Sequence, residues 1–332
     1  MSRPHLPPRF RLLARIGFFA TLIVLFALAL HGRWPQVRES FERVSWYSLV
    51  IATVLGFANI FAAMMAWRSL LADLGSKLPL PVAMRIFFLG QLGKYLPGSV
   101  WTVVAQADLG RDHSIPPRRT VAASVVGMGI SLAAGLVLAV VTLPFAAPGQ
   151  VAQYAWVLLI LPLLVVGLLP KNVDRLTHLL LRVLRREPPD HEFTWRGVLI
   201  ALGWQMTGWL VIGGEVFVLC WALHAPIGRS LLLALGGTAL AWSAGFLAIP
   251  LPSGAGVREV VTIAILHPVL SVPSATVVAL ASRVIATVGD GAFAAMAAVL
   301  ARRNGLHLLA AARERDRLEA RTAAAASPRV AP

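Results

Sequence analysis

Six ionisable side chains stand in or beside the apolar stretches of this sequence: Lys94, Arg258 and Arg283, with Glu215, Glu259 and Asp290. A charge at the centre of a membrane helix costs about 2.5–3.5 kcal/mol even on the lenient insertion scale, so such residues pair or serve a ligand. Three cations among three acids suit an anion such as a phosphate head group, with the carboxylates balancing the charge. Pairing that only holds helices in register is the plainer alternative, and a bound anion can compete for the same Lys and Arg. Lys94 and the neighbours Arg258 and Glu259 adjoin two related motifs, Gln91-Leu92-Gly93-Lys94-Tyr95-Leu96-Pro97-Gly98-Ser99-Val100-Trp101 and Ile249-Pro250-Leu251-Pro252-Ser253-Gly254-Ala255-Gly256-Val257-Arg258-Glu259. Proline removes a backbone donor and glycine permits positive φ, so each motif should interrupt a helix. The helix restarting after such a break presents unsatisfied N–H groups that favour an anion, and Ser99 and Ser253 are available as caps or local donors. Tyr95 and Trp101 can contact a head group, although anchoring at an interface is the commoner role of such residues.

Other chemistries find less support. The single cysteine, Cys220, lies in an apolar segment and leaves no intrachain disulfide to form. The eight histidines include no H-E-x-x-H or Cys/His spacing, so no metal is expected. Gly90 and Gly93-Lys94 are too close for a phosphate-binding G-x-x-x-x-G-K-[ST] loop, which argues against ATP hydrolysis. With no nucleophile or metal-binding acidic cluster evident at a membrane surface, the expectation is a protein without enzymatic activity or cofactor. A net charge of +15 would suit nucleic acid if the basic residues clustered on one aqueous face, but they lie between apolar runs.

These residues must be positioned by membrane helices. The chain of 332 residues is 58% hydrophobic and 14% charged, against about 25% charged in an ordinary soluble domain. No charge occurs from Thr120 to Pro170, and a spanning helix needs only about 20 apolar residues. Two crossings fit there, with a break near Pro144 to Gly149. Further spans are predicted near 14–30, 46–67, 198–223, 230–251 and 275–300. Period-2 alternation is absent, which argues against a β-barrel. The N-terminal Arg3, Arg9, Arg11 and Arg15 before an apolar stretch also fit a cleavable signal, but that stretch is long for one and an uncleaved first helix is favoured.

The expected fold class is an all-α polytopic membrane protein with about 7–8 transmembrane segments and one or two re-entrant helix hairpins broken at the Pro-Gly motifs. A membrane domain over 1–305 and a partly disordered cytoplasmic tail over 306–332 are expected. Basic residues number four before the first span, two in 68–81, three in 111–119, six in 171–196 and seven from 301 onward. The alternate connections 31–45, 146–152, 224–229 and 267–273 hold three, none, one and none. Both termini and the loop 170–197 are therefore predicted cytoplasmic, in a cell membrane. At helical spacing the stretch from Asp174 to Arg186 has a basic face that can lie on anionic lipid, or it is a plain connector.

The arms flanking the first break, 82–92 and 100–109, are too short to cross and have positive residues on both sides, which predicts a hairpin entering from the cytoplasm over about 82–110. Residues 240–268 admit two readings, a hairpin dipping from outside or a long span followed by a short one, and the charge count is the same for both. Backbone freed at a break must be buried in protein or line a wet cavity. Similar motifs in two halves suit an inverted repeat whose broken helices build a substrate site.

Gly93-Lys94-Tyr95-Leu96-Pro97-Gly98-Ser99-Val100-Trp101 together with Pro252-Ser253-Gly254-Ala255-Gly256-Val257-Arg258-Glu259 resembles the lysylphosphatidylglycerol synthase transmembrane region family over roughly 10–305. The resemblance implies a flippase-like membrane domain, which in fused members moves aminoacylated phosphatidylglycerol between leaflets ahead of a soluble aminoacyl-transferase domain. Only about thirty residues follow the resemblance here, so the synthase activity is not expected of this chain. Lys94, Tyr95, Pro97, Gly98, Gly254, Gly256, Arg258 and Glu259 match the family pattern; Glu215, Arg283 and Asp290 are inferred from membrane depth. The expected function is movement of an anionic phospholipid or lipid-linked precursor. Membrane lipids are the expected partners, together with lipid or glycan synthesis proteins if the chain acts as a scaffold, and nucleic acid is not.

Overall fold

The computed structural model describes residues 34–96, 100–146, 191–248 and 251–326, with Val166, Leu169, Lys171, Asn172 and Arg175 between them; side chains are described as far as Ala301, Pro252 excepted. Nine α-helices occur among the described residues: α1 (Trp34–Glu42), α2 (Trp46–Asp73), α3 (Leu80–Gln91), α4 (Trp101–Arg111), α5 (Pro117–Ala146), α6 (Trp195–Ala222), α7 (Ile227–Leu247), α8 (Val257–Leu266) and α9 (Val272–Ala326). Short 3-10 turns at Leu92–Tyr95 and Pro252–Gly254 follow α3 and precede α8. No strand occurs among the described residues. The predicted span at 14–30, the second crossing of the apolar run and nearly all of the loop 170–197 lie outside them.

Helices α2, α5, α6, α7 and the stretch Val272–Ala301 of α9 are long and apolar enough to cross a bilayer. Their outward faces carry Trp46, Val50, Val54, Leu247, Val284 and Val288, exposed apolar side chains that suit lipid rather than water. The connection predicted over 31–45 instead contains α1, whose Ser40 hydroxyl lies 3.3 Å from that of Ser274 at the start of α9. Its exposed pairs Arg38–Glu42 and Arg43–Glu39 hold the helical turn spacing that its composition does not advertise. Helix α5 runs through Pro144 to Ala146, and α9 continues without a break past residue 305.

Antiparallel packing of α2 and α6 forms the frame. Asp73 accepts from the backbone N–H and the hydroxyl of Thr194, each at 2.7 Å, while the Thr194 hydroxyl accepts from Gly197 N–H at 3.0 Å and so caps α6. Further along, Gly56 packs on Glu215, so the two helices stay in contact over several turns. Arg119 binds the Ser76 hydroxyl and meets His191, gathering the connections near 74–79, 112–116 and 191–194 at one end of the bundle. At the other end Arg229 donates to the Ala146 carbonyl, and Val37, Val44, Ala225 and Leu270 share one buried cluster.

Two hairpins enter this frame from opposite ends. Helices α3 and α4 are antiparallel, because Gly90 lies against Gln106 and Gly93 against Thr102. At about 1.5 Å per residue they reach only about 18 and 16 Å, short of the roughly 30 Å hydrocarbon core. Helices α7 and α8 are likewise antiparallel, with Gly237 against Ile265 and Gly245 against Arg258. Here one arm is long enough to cross and the other, at about 15 Å, is not, so this pair has a long arm and a short arm. The tips of the two hairpins meet beside the Arg283–Asp290 stretch of α9.

Candidate functional site

The second tip shows why its sequence is needed. Ser253, Gly254 and Gly256 have φ of 52°, 65° and 87°. This left-handed region is open to glycine and tolerated by a small polar residue. A Cβ on Gly254 would lie 2.7 Å from the Cα and 2.8 Å from the carbonyl oxygen of Gly245, so α7 rests directly on the turn. Glu259 then closes the start of α8, accepting the Gly256 N–H at 2.6 Å. Its other oxygen pairs with Arg283 Nε at 3.4 Å, and Arg283 Nη1 donates to the Ser253 carbonyl at 3.0 Å. Thus the Ser253 backbone carbonyl, rather than its hydroxyl, ties the turn to α9.

The first tip is tied to the same helix seven residues, or two turns, later. Asp290 is 3% exposed, and one of its oxygens receives both Lys94 Nζ and the Tyr95 hydroxyl at 2.6 Å. Tyr95 thus fastens the first break onto α9. Helix α9 thus carries Arg283 for one break and Asp290 for the other. Pro97, Gly98 and Ser99, also predicted to belong to the site, lie outside the described residues.

Arg258 is left over from this pairing. Its guanidinium makes no hydrogen bond or ion pair among the described residues, and its aliphatic stem passes over Gly245, where a Cβ would collide with it. Lys94, Ser253, Gly254, Arg258 and Asp290 all border one cavity of about 260 Å³. Arg258, Glu259 and Arg283 border a smaller one of about 30 Å³ behind it. Glu215 lies outside the large cavity, fully buried on α6 beside Ser282 and within the field of Arg258, and among the described residues neither of its oxygens sits in good hydrogen-bond geometry. Sequence reasoning from charge found the cationic end of the cavity but missed its uncharged wall, where Asn59, Gln106, Gln205, Trp67, Trp209 and Trp242 stand. Amides inside apolar runs were the available signal.

Apolar crossing helices, two interrupted hairpins meeting tip to tip, and a charged cavity at their junction define a polytopic α-helical membrane protein. The match of residues 12–294 to the model of the lysylphosphatidylglycerol synthase TM region shows that the chain belongs to that family. No curated protein matches the chain.

Proposed function

We propose that this protein moves an anionic lipid, a phospholipid or a lipid-linked precursor, between the leaflets of a cell membrane without altering its covalent structure. The observation carrying this reading is Arg258, a cation facing the cavity with no counter-ion bonded to it among the described residues, placed where both hairpin tips converge. A phosphate offers it the charge-assisted, two-pronged hydrogen bonding that guanidinium groups favour. Lys94 and Arg283 add positive potential while staying fastened to Asp290 and Glu259. In this reading both hairpins are re-entrant, their tips lie near the bilayer midplane, and the head group crosses there while its acyl chains stay in lipid. The end of the bundle bearing Lys77, Arg111 and Arg196 faces the cytoplasm, as do both termini.

The test is transbilayer movement of a fluorescent phospholipid in proteoliposomes. Wild-type protein is expected to exceed empty vesicles, Arg258→Ala to lose about tenfold or more of that rate, in line with a lost charged hydrogen bond, and Glu259→Ala to lose activity through the loosened turn. Equal rates in all three proteins and in empty vesicles would remove the reading.

A further inference from the structure

The wall opposite Arg258 carries information that the phosphate does not use. Gln106 is only 2% exposed and borders the cavity. Its side-chain oxygen accepts from Ser124 Oγ at 2.6 Å, and Ser124 Oγ accepts in turn from Trp67 Nε1 at 3.0 Å. The other end of the Gln106 amide has no partner among the described residues and opens onto the cavity. Because one end of this amide is held, the free end is fixed in direction. A group so placed takes its hydrogen bond from whatever fills the cavity, water or a ligand.

Around that amide the wall is neutral and aromatic. Asn59 and Gln205 add two more amides without side-chain hydrogen bonds among the described residues. Trp209 is locked by donation to the Ser131 carbonyl at 3.0 Å and stands edge-on to Trp242, with ring centroids 5.4 Å apart. Glycines make room for both features: a Cβ on Gly90 would collide with Gln106, and one on Gly135 would lie 2.8 Å from the Trp209 ring. The acid on the cavity wall, Asp290, already holds Lys94 and Tyr95 on one oxygen. An ammonium-bearing head group would have to compete with Lys94 for that carboxylate, whereas hydroxyls, which both donate and accept, match amides and can lie with their C–H faces on indole rings.

We infer that the cavity binds a lipid phosphate bearing an uncharged polyhydroxyl head group, a single sugar or cyclitol ring, with Gln106 and its neighbouring amides reading the hydroxyls. A volume of about 260 Å³ leaves room for a head-group ring between Arg258 and the amides. The inference rests on reading the site as one for an anionic lipid, but it concerns which head group is chosen. It is therefore tested by binding as well as by transport.

Dioctanoyl phosphatidylinositol, phosphatidic acid and phosphatidylcholine would be titrated against the detergent-purified full chain, with tryptophan fluorescence as readout. Phosphatidylinositol is expected to bind about tenfold tighter than phosphatidic acid. Gln106→Leu should abolish that difference, weakening phosphatidylinositol by much more than phosphatidic acid; Gln205→Leu should narrow it; Arg258→Ala should weaken both anionic lipids alike. Gel filtration and thermal unfolding establish that each variant is folded. Phosphatidic acid binding as tightly as phosphatidylinositol, or phosphatidylcholine binding tightest, overturns the head-group inference. In the parallel vesicle assay, transport without head-group preference sinks this inference alone, whereas selective binding with no transport sinks the transport reading alone.

Discussion

Asp290 holds two donors on one carboxylate oxygen in a buried setting, and the energetic consequence is asymmetric. Removing one partner of a buried pair leaves the other charge uncompensated, at a cost of about 3–5 kcal/mol, whereas replacing both with apolar groups of similar size is often neutral. Asp290→Ala is therefore expected to lower thermal stability in detergent strongly, and the double variant Asp290→Leu with Lys94→Met to recover most of the loss. A double variant as unstable as the sum of its single changes would show that the two residues are uncoupled and would overturn this account of the pair. Arg258 should behave differently. With no counter-ion bonded to it among the described residues, its replacement by Met breaks no ion pair, although it removes a positive charge that acts on the buried Glu215, so its loss should appear in lipid binding before it appears in unfolding temperature.

At the scale of elements, the glycines around the second break divide by what lies in front of them. A Cβ on Gly245 would meet the stem of Arg258, a long side chain that can yield, whereas one on Gly254 would meet the backbone of Gly245 at a φ of 65°. Gly254→Ala is expected to destabilise the protein by about 1–3 kcal/mol, the usual cost of overpacking. Gly245→Ala is expected to lose less stability than Gly254→Ala and to bind anionic lipid more weakly, because Arg258 has been pushed aside. Comparable unfolding temperatures for the two variants would contradict that division. The breaks themselves were legible from Leu-Pro and glycine. Their fastenings were not, because the pairing of Lys94 with Asp290 and of Glu259 with Arg283 depends on where α9 crosses both tips. Helix α1 escaped notice because its nine residues are polar on average and too few to read as a span, although their apolar positions do repeat at helical spacing.

Across the whole molecule, long apolar runs announce spans within a few residues of their observed ends, since the bilayer fixes both composition and length. The cavity wall depends on four helices brought together by packing, so Gln106, Gln205 and the tryptophans could be read singly as polar or aromatic residues but not as one surface. Sidedness joins the two kinds of information. The Asp73–Thr194 contact and the Arg119 contacts gather the basic connections at one end of the bundle, while the Ser40–Ser274 and Arg229–Ala146 contacts mark the opposite end. Ser271 is exposed near the second end and Lys77 near the first. Cys220 is buried, and replacing it with Ala gives a background without other cysteines. In that background Ser271→Cys is expected to react with a membrane-impermeant maleimide applied outside intact cells, and Lys77→Cys only after the membrane is opened. The reverse pattern would invert the molecule in the membrane. The α3–α4 hairpin would then enter from outside, while the cavity and its two tips would keep the same relation to one another.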